Sequence, residues 1–131
     1  LLYGILDTDS GRLTYICAGS PPVVHAPKGQ KSHFEIFPGY PIGIVNEPDY
    51  QEHTLSLELG DRIYLYTDGL TDAMNPSEDD FGMDRLVESI DESRNLPLDQ
   101  TLPAIMKKVE DWVGETGIHD DATILGIEFQ E

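Results

Sequence analysis

At 131 residues the chain is long enough for one domain with a real core, and 39% hydrophobic residues with four Phe, six Tyr and one Trp is ordinary globular composition. The charge is not ordinary: 25 Asp plus Glu against 8 Lys plus Arg leave a formal −17, a surface that repels nucleic acid and anionic membranes and favours cations or basic partners. A single cysteine, Cys17, excludes an intrachain disulfide and fits a reducing compartment, and no apolar stretch approaches the roughly 18 residues of a membrane helix.

The chain opens on a strand pattern. "LLYGILDTDSGRLTYICAG" predicts a hairpin in which residues 1–7 pair with 12–18 across a turn carrying Asp9 and Gly11. Val23 to Ala26 predicts a short strand between Pro21-Pro22 and the turn at Lys28-Gly29. "SHFEIF" alternates and predicts another, followed by a loop rich in Gly and Pro. "HTLSLEL" alternates through Leu55, Leu57 and Leu59, and Gly60-Asp61 turns the chain into "RIYLYT".

Helical spacing begins later. Met83, Leu86, Val87 and Ile90 form one stripe; Leu102, Ile105, Met106, Val109 and Trp112 or Val113 form a second, and both read as core. Asp99 is a candidate cap, and Pro103 places the start of ordered helix near residue 101 or 102, with Gly114 or Gly117 ending it. "ATILGIEF" closes the chain as a strand. Many strands, two helices and a returning strand describe an α+β layered domain. The strand–helix alternation and glycine fingerprint of a dinucleotide-binding fold are missing.

Most acids here read as solvated surface, including Glu78, Asp79, Asp80, Asp84, Glu88, Asp91 and Glu92. Asp68 and Asp120 differ, because each stands at the edge of an apolar strand that fixes its backbone. Asp68-Gly69 is either a simple turn or a metal ligand at a strand end. The adjacent carboxylates of Asp120 and Asp121 cost energy unless both face water or a cation compensates them. Oxygen donors of this kind suit Mg²⁺ or Mn²⁺, which keep several waters. The histidines His25, His33, His53 and His119 look scattered, without a close pair, and His119 beside Asp120 reads as a strand-end surface residue. Ser20 and Ser56 lack a nucleophile-elbow setting, Cys17 reads as a core thiol, and "DTDSG" lacks the terminal acid of a calcium loop.

In family order, "LTYICAGSPPVV", "GYPIGI", "LELGDRIYLYTDGLTDAMN", "FGMDRL" and "HDDATILGIEF" resemble the bacterial PP2C-type serine/threonine phosphatases, the branch of SpoIIE and RsbU. The resemblance implies an α-β-β-α sandwich, with two antiparallel sheets flanked by helices and a binuclear Mn²⁺ or Mg²⁺ site at one edge. It assigns residues 1–131 to the C-terminal two-thirds of a single phosphatase domain, incomplete at its N-terminus, where further aspartates of the family's metal site lie. By motif, Asp68 resembles a metal-ligating aspartate, Asp120 the late metal-ligating aspartate, and Asp121 a supporting residue beside it. Gly69 resembles the glycine that lets the chain pack closely behind the ligand, and belongs to the same metal-site set. Asp72 stands where relatives commonly carry Glu.

The implied activity is metal-dependent hydrolysis of phosphoserine or phosphothreonine on a regulatory protein, a STAS-type anti-sigma factor antagonist in a partner-switching pathway. The expected setting is cytoplasmic, with no nucleic acid, no direct membrane contact and homodimerisation possible through upstream regions. The fragment alone is expected to be inactive. A non-catalytic PP2C-like module that docks a protein partner is the alternative.

Overall fold

Alternating apolar residues build the expected strands in a computed structural model that describes residues 1–131. β1 (Leu2–Asp7), β2 (Arg12–Cys17) and β5 (His53–Ser56) form one antiparallel sheet in the order β1-β2-β5. β3 (Val23–Ala26), β4 (His33–Glu35), β6 (Arg62–Tyr66) and β7 (Ile124–Glu128) form a second, in the order β4-β3-β6-β7. The first hairpin has the expected register, Leu2 opposite Cys17 through Asp7 opposite Arg12. Its turn is held by Asp7, whose Oδ1 accepts from the amides of Asp9 and Ser10.

Two strands are shorter than their alternation suggests. The β3–β4 register stops at Val23 opposite Glu35, so the next partner for Ile36 would be Pro22, which has no N–H to continue the ladder. In the other sheet Arg12 opposite Ser56 is the last β2–β5 pair; the Leu57 amide still donates to the Gly11 carbonyl at 2.8 Å, but Gly11, at φ 66°, belongs to the β1–β2 turn and the ladder ends there. Leu57 is nevertheless buried, so its apolar signal was a core signal rather than a strand signal.

The two sheets enclose Leu13, Tyr15, Cys17, Val23, Leu57 and Ile63. The outward face of the four-stranded sheet carries Val24, Ala26, Tyr64 and Tyr66, covered by α2 (Gly82–Ser93) and α3 (Leu98–Val113) through Leu86, Ile90, Ile105, Val109 and Val113. Met83 falls outside that core at 36% exposure. The outward face of the three-stranded sheet has no helical layer in this chain, and Tyr3 and Ile5 are exposed there. No helix is long and apolar enough to cross a membrane.

Two expectations about helices need correction. A one-turn helix, α1 (Asp68–Thr71), follows β6 where a turn was one of the readings. The helix α3 begins at Leu98, so Pro103 lies inside it and Pro97, not Asp99, is its N-cap. The first turn is fastened from outside: the fully buried Thr101 hydroxyl has the carbonyls of Ser93, Leu96 and Pro97 as alternative acceptors for its single proton and accepts from Arg62. Pro103 and Asp99 are both exposed, so the carbonyl that loses its helical partner can be hydrated. Tertiary anchoring outweighs the local propensity.

Candidate metal centre

The site is a product of strand register. β6 and β7 pair with Tyr66 opposite Ile124, and the ladder carries on past the last strand residues: the Thr67 amide donates to the Thr123 carbonyl at 3.1 Å. The Thr67 hydroxyl donates to the Asp121 carbonyl at 2.6 Å and accepts from the Thr123 amide at 2.9 Å. One step further, Gly69 lies so close to Asp121 that a Cβ would stand 2.6 Å from the Asp121 carbonyl oxygen. Asp68 and the Asp120-Asp121 pair, remote in sequence, therefore share one end of the sheet.

Asp68 opens α1 immediately after the strand. Leu70, with no exposure, plugs this turn into the core, and the Asp68 carbonyl accepts from the Asp72 amide at 2.8 Å. The Thr71 hydroxyl reaches the Asp68 carbonyl and Asp72 Oδ1, both at 3.2 Å. The backbone is fixed while the Asp68 side chain stays exposed, lining a groove of about 370 Å³ together with Gly19 to Pro22 and Ile36 to Gly39. Asp120 lines a second cleft of about 150 Å³ with His119, Gly69, Asp72 and Met74. Asp120 Oδ1 accepts from the Asp121 amide at 2.7 Å, which orients its carboxylate.

Asp68, Asp72, Asp120 and Asp121 are all exposed and none has a basic partner within ion-pair distance. Unneutralised oxygen donors on a rigid backbone fit hard divalent cations such as Mn²⁺ or Mg²⁺ in donor type. The number of donors is lower than a full shell: no three of these acids bring their oxygens within 4.8 Å of one another. Waters complete the shell of such ions as a rule. Beneath the acids, the Tyr66 hydroxyl is buried without a hydrogen-bond partner; burial first, and the Asp72 charge second, push its pKa up to about 12.

Sequence reasoning passed over Thr67, although a β-branched hydroxyl residue at a strand's last step is the available signal. It also missed a second cluster. His25 and His33, read as scattered, are cross-strand partners with ring centroids 5.2 Å apart. Asp91, read as solvated, accepts from both the amide and the hydroxyl of Ser32, at 3.0 and 2.7 Å. The largest cleft, about 750 Å³, lies between β4 and α2, away from Asp68 and Asp120.

The family profile described as Stage II sporulation protein E (SpoIIE) matches residues 1–130. Protein IcfG of Synechocystis sp. is 32% identical over 90 residues, covering 69% of this chain and 14% of that protein. The SiaA-PP2C domain of Pseudomonas aeruginosa matches with a TM-score of 0.75 at 24% identity, over 92% of this chain and 48% of that one. The phosphatase domain of Bacillus subtilis SpoIIE, in a Mn-presoaked structure, matches with a TM-score of 0.69 at 18% identity, over 99% of this chain and 56% of that one. The chain thus spans about half the length of these solved domains and a small part of the curated relative. At such identities the structural matches establish the fold, that of a PP2C domain with its two antiparallel sheets.

Proposed function

Because the chain belongs to the SpoIIE family, we propose that it is the C-terminal part of a PP2C-type domain whose intact parent hydrolyses phosphoserine or phosphothreonine on a regulatory protein. The observation that carries this reading is the β6–β7 register, which sets Asp68 and Asp120-Asp121 at one sheet end without a counter-charge. Asp68 and Asp120 hold Mn²⁺ or Mg²⁺ in this reading, and Asp121 supports the ligand sphere. When bound, such ions lower the pKa of coordinated water and neutralise phosphate oxygens during in-line displacement. The chain itself supplies the rigid frame: Thr67 locks the two segments together, and Gly69 leaves no side chain between them. No covalent phospho-enzyme is needed, in keeping with a lone cysteine that is buried in the core.

The substrate proposed is a phosphorylated STAS-type anti-sigma factor antagonist, in the cytoplasm. The resemblance to the SpoIIE and RsbU branch supports it, and the −17 charge supports a partner other than nucleic acid or an anionic membrane. A binding module without catalysis is the second reading, favoured by the absence of three mutually close acids at the site. One experiment separates them: phosphate release by the full-length parent from a phosphoserine protein and an aryl phosphate, with Mn²⁺, Mg²⁺ or EDTA. Turnover that EDTA abolishes supports the phosphatase. A folded parent that is inert on every substrate and metal supports the binding module.

A further inference from the structure

On the inner face of the four-stranded sheet, His25 and His33 stand directly opposite each other on β3 and β4, and Glu35 follows two residues later on the same face. Cross-strand pairs and their diagonal neighbours are the side chains a sheet brings closest. One donor atom from each of the three residues lies within 4.8 Å of the others. His33 Nε2 is 3.1 Å from Glu35 Oε1, and His25 Nδ1 is 3.9 Å from the same oxygen. Donors bound tetrahedrally at 2.0–2.2 Å are about 3.4 Å apart, so small side-chain rotations would complete a shell.

A fourth residue makes this more than a chance contact. His25 is 7% exposed, and its Nε2 meets the buried Asp61 Oδ2 at 3.2 Å. Asp61 is itself rigid: Oδ1 accepts from the Lys28 amide at 2.7 Å and Oδ2 from the Glu58 amide at 2.9 Å. A carboxylate held in this way accepts the hydrogen bond that His25 Nε2–H donates, and a neutral ring then turns its Nδ1 lone pair toward Glu35. Lone pair against carboxylate is repulsive unless a metal cation or a proton lies between them. An imidazole fixed by a carboxylate behind it is the usual support of a metal-bound histidine. On the other side His33 is half-exposed, its side chain at 52%, which leaves a path for an ion and for water.

We propose that His25, His33 and Glu35 form a binding site for a divalent transition-metal ion of the Zn²⁺ class, with Asp61 as the positioning residue behind His25. Two imidazoles and one carboxylate with an open fourth position suit Zn²⁺ rather than the hard ions proposed for Asp68 and Asp120. The site sits toward the start of β6, whereas Asp68 follows its end. Bound metal would staple the edge strand β4 to β3, where the ladder has only three residue pairs. The inference does not rest on the phosphatase reading.

The test is titration of the full 131-residue chain with Zn²⁺ by calorimetry and with Co²⁺ by visible absorption, in an Asp68→Asn/Asp120→Asn background so that those acids contribute nothing. One saturable equivalent, with a Co²⁺ d–d band and perturbed His25 and His33 ring resonances, is the expected result. His33→Ala, at an exposed position, should weaken Zn²⁺ at least about tenfold and abolish the band, and Asp61→Asn should weaken it about 10–100-fold. Far-ultraviolet circular dichroism checks that each variant is folded. Absence of a saturable equivalent, or binding that His33→Ala and Glu35→Gln both leave unchanged, overturns the proposal; in that case a proton on His25 Nδ1 fills the place assigned to the metal.

Discussion

Thr67 and Asp121 are joined by a 2.6 Å hydrogen bond from hydroxyl to carbonyl, and this contact ties the segment after β6 to the segment before β7. The same hydroxyl accepts from Thr123, so Thr67→Val keeps the shape and deletes both bonds. A loss of about 1–2 kcal/mol in urea unfolding is expected from two partly exposed hydrogen bonds. Mn²⁺ affinity at Asp68 and Asp120 should fall with it. Unchanged stability and unchanged affinity together would remove Thr67 from the frame of the site.

Gly69 tests the same junction sterically. Its backbone meets the Asp121 carbonyl so closely that an alanine Cβ would sit 2.6 Å from the oxygen. Gly69→Ala should therefore cost about 1–3 kcal/mol by overpacking, although the residue is helical and alanine is the better helix former. A stabilised variant would mean the two segments separate freely.

For the acids, Asp120→Asn in the full-length parent should lower Mn²⁺-dependent phosphate release by about 100-fold or more, the scale on which a metal supplies several kcal/mol. Glu110→Gln, an exposed acid on α3, serves as the control and should leave the rate alone. Equal effects from the two changes would point to general electrostatics rather than ligation.

Arg62 fastens the far end of β6. It pairs with Glu128 at 2.5 Å, with side chains 12% and 18% exposed, and donates to the carbonyls of Arg94 and Leu96 and to the Thr101 hydroxyl. Arg62→Met leaves Glu128 without its cation and removes one donor each from the Arg94 and Leu96 carbonyls and the Thr101 hydroxyl. The expected cost is about 2–4 kcal/mol in denaturant unfolding, a little below that of breaking a fully buried pair. A cost under about 1 kcal/mol would show that water replaces the guanidinium there.

The pH profile carries two signatures. Tyr66 has its folded pKa raised to about 12 from an ordinary 10.0, chiefly by burial, so its contribution is complete below pH 10 and disappears as pH rises through about 12. Tyr66→Phe should make that alkaline limb shallower in thermal melts without removing it, because burial also raises Tyr15 and Tyr64. At the acid end, burial alone would raise the Asp61 carboxyl, but the Glu58 and Lys28 amides and the His25 ring hold it below its ordinary 3.8. The stability it contributes is present above that value and is lost as pH falls through the lower folded pKa. Asp61→Asn should shift the acid transition, which Glu128 and Asp7, also held below their ordinary values, share; an unaltered midpoint would contradict the role.

Period-two alternation carried much of the sheet structure, because strands such as β2 and β5 bury one face more than the other. It marked β1 and β2 nearly to the residue, the prolines and turn on either side marked the fully buried β3, and helical spacing marked the buried faces of α2 and α3. Alternation overran β4 and β5: Pro22 has no N–H to carry the β3–β4 ladder on to Ile36, which is exposed, and beyond Ser56 only the Leu57 amide still reaches Gly11, with Leu57 buried as core. It misplaced the start of α3, because Pro103 speaks only for local backbone cost while Thr101 and Arg62 act across the fold.

By itself, then, the chain's order of residues determined its layered class, its buried faces, the placement of Asp68 and Asp120 at strand edges, and its family. Those features depend on periodicity and on neighbours a few positions away. The tertiary structure decided which remote residues meet. Antiparallel register brought Gly69 against Asp121, His25 against His33 and Arg62 against Glu128. No local pattern encodes such a meeting, because register is chosen by the summed burial of whole strands, and a shift of one residue would turn every one of those side chains to the opposite face.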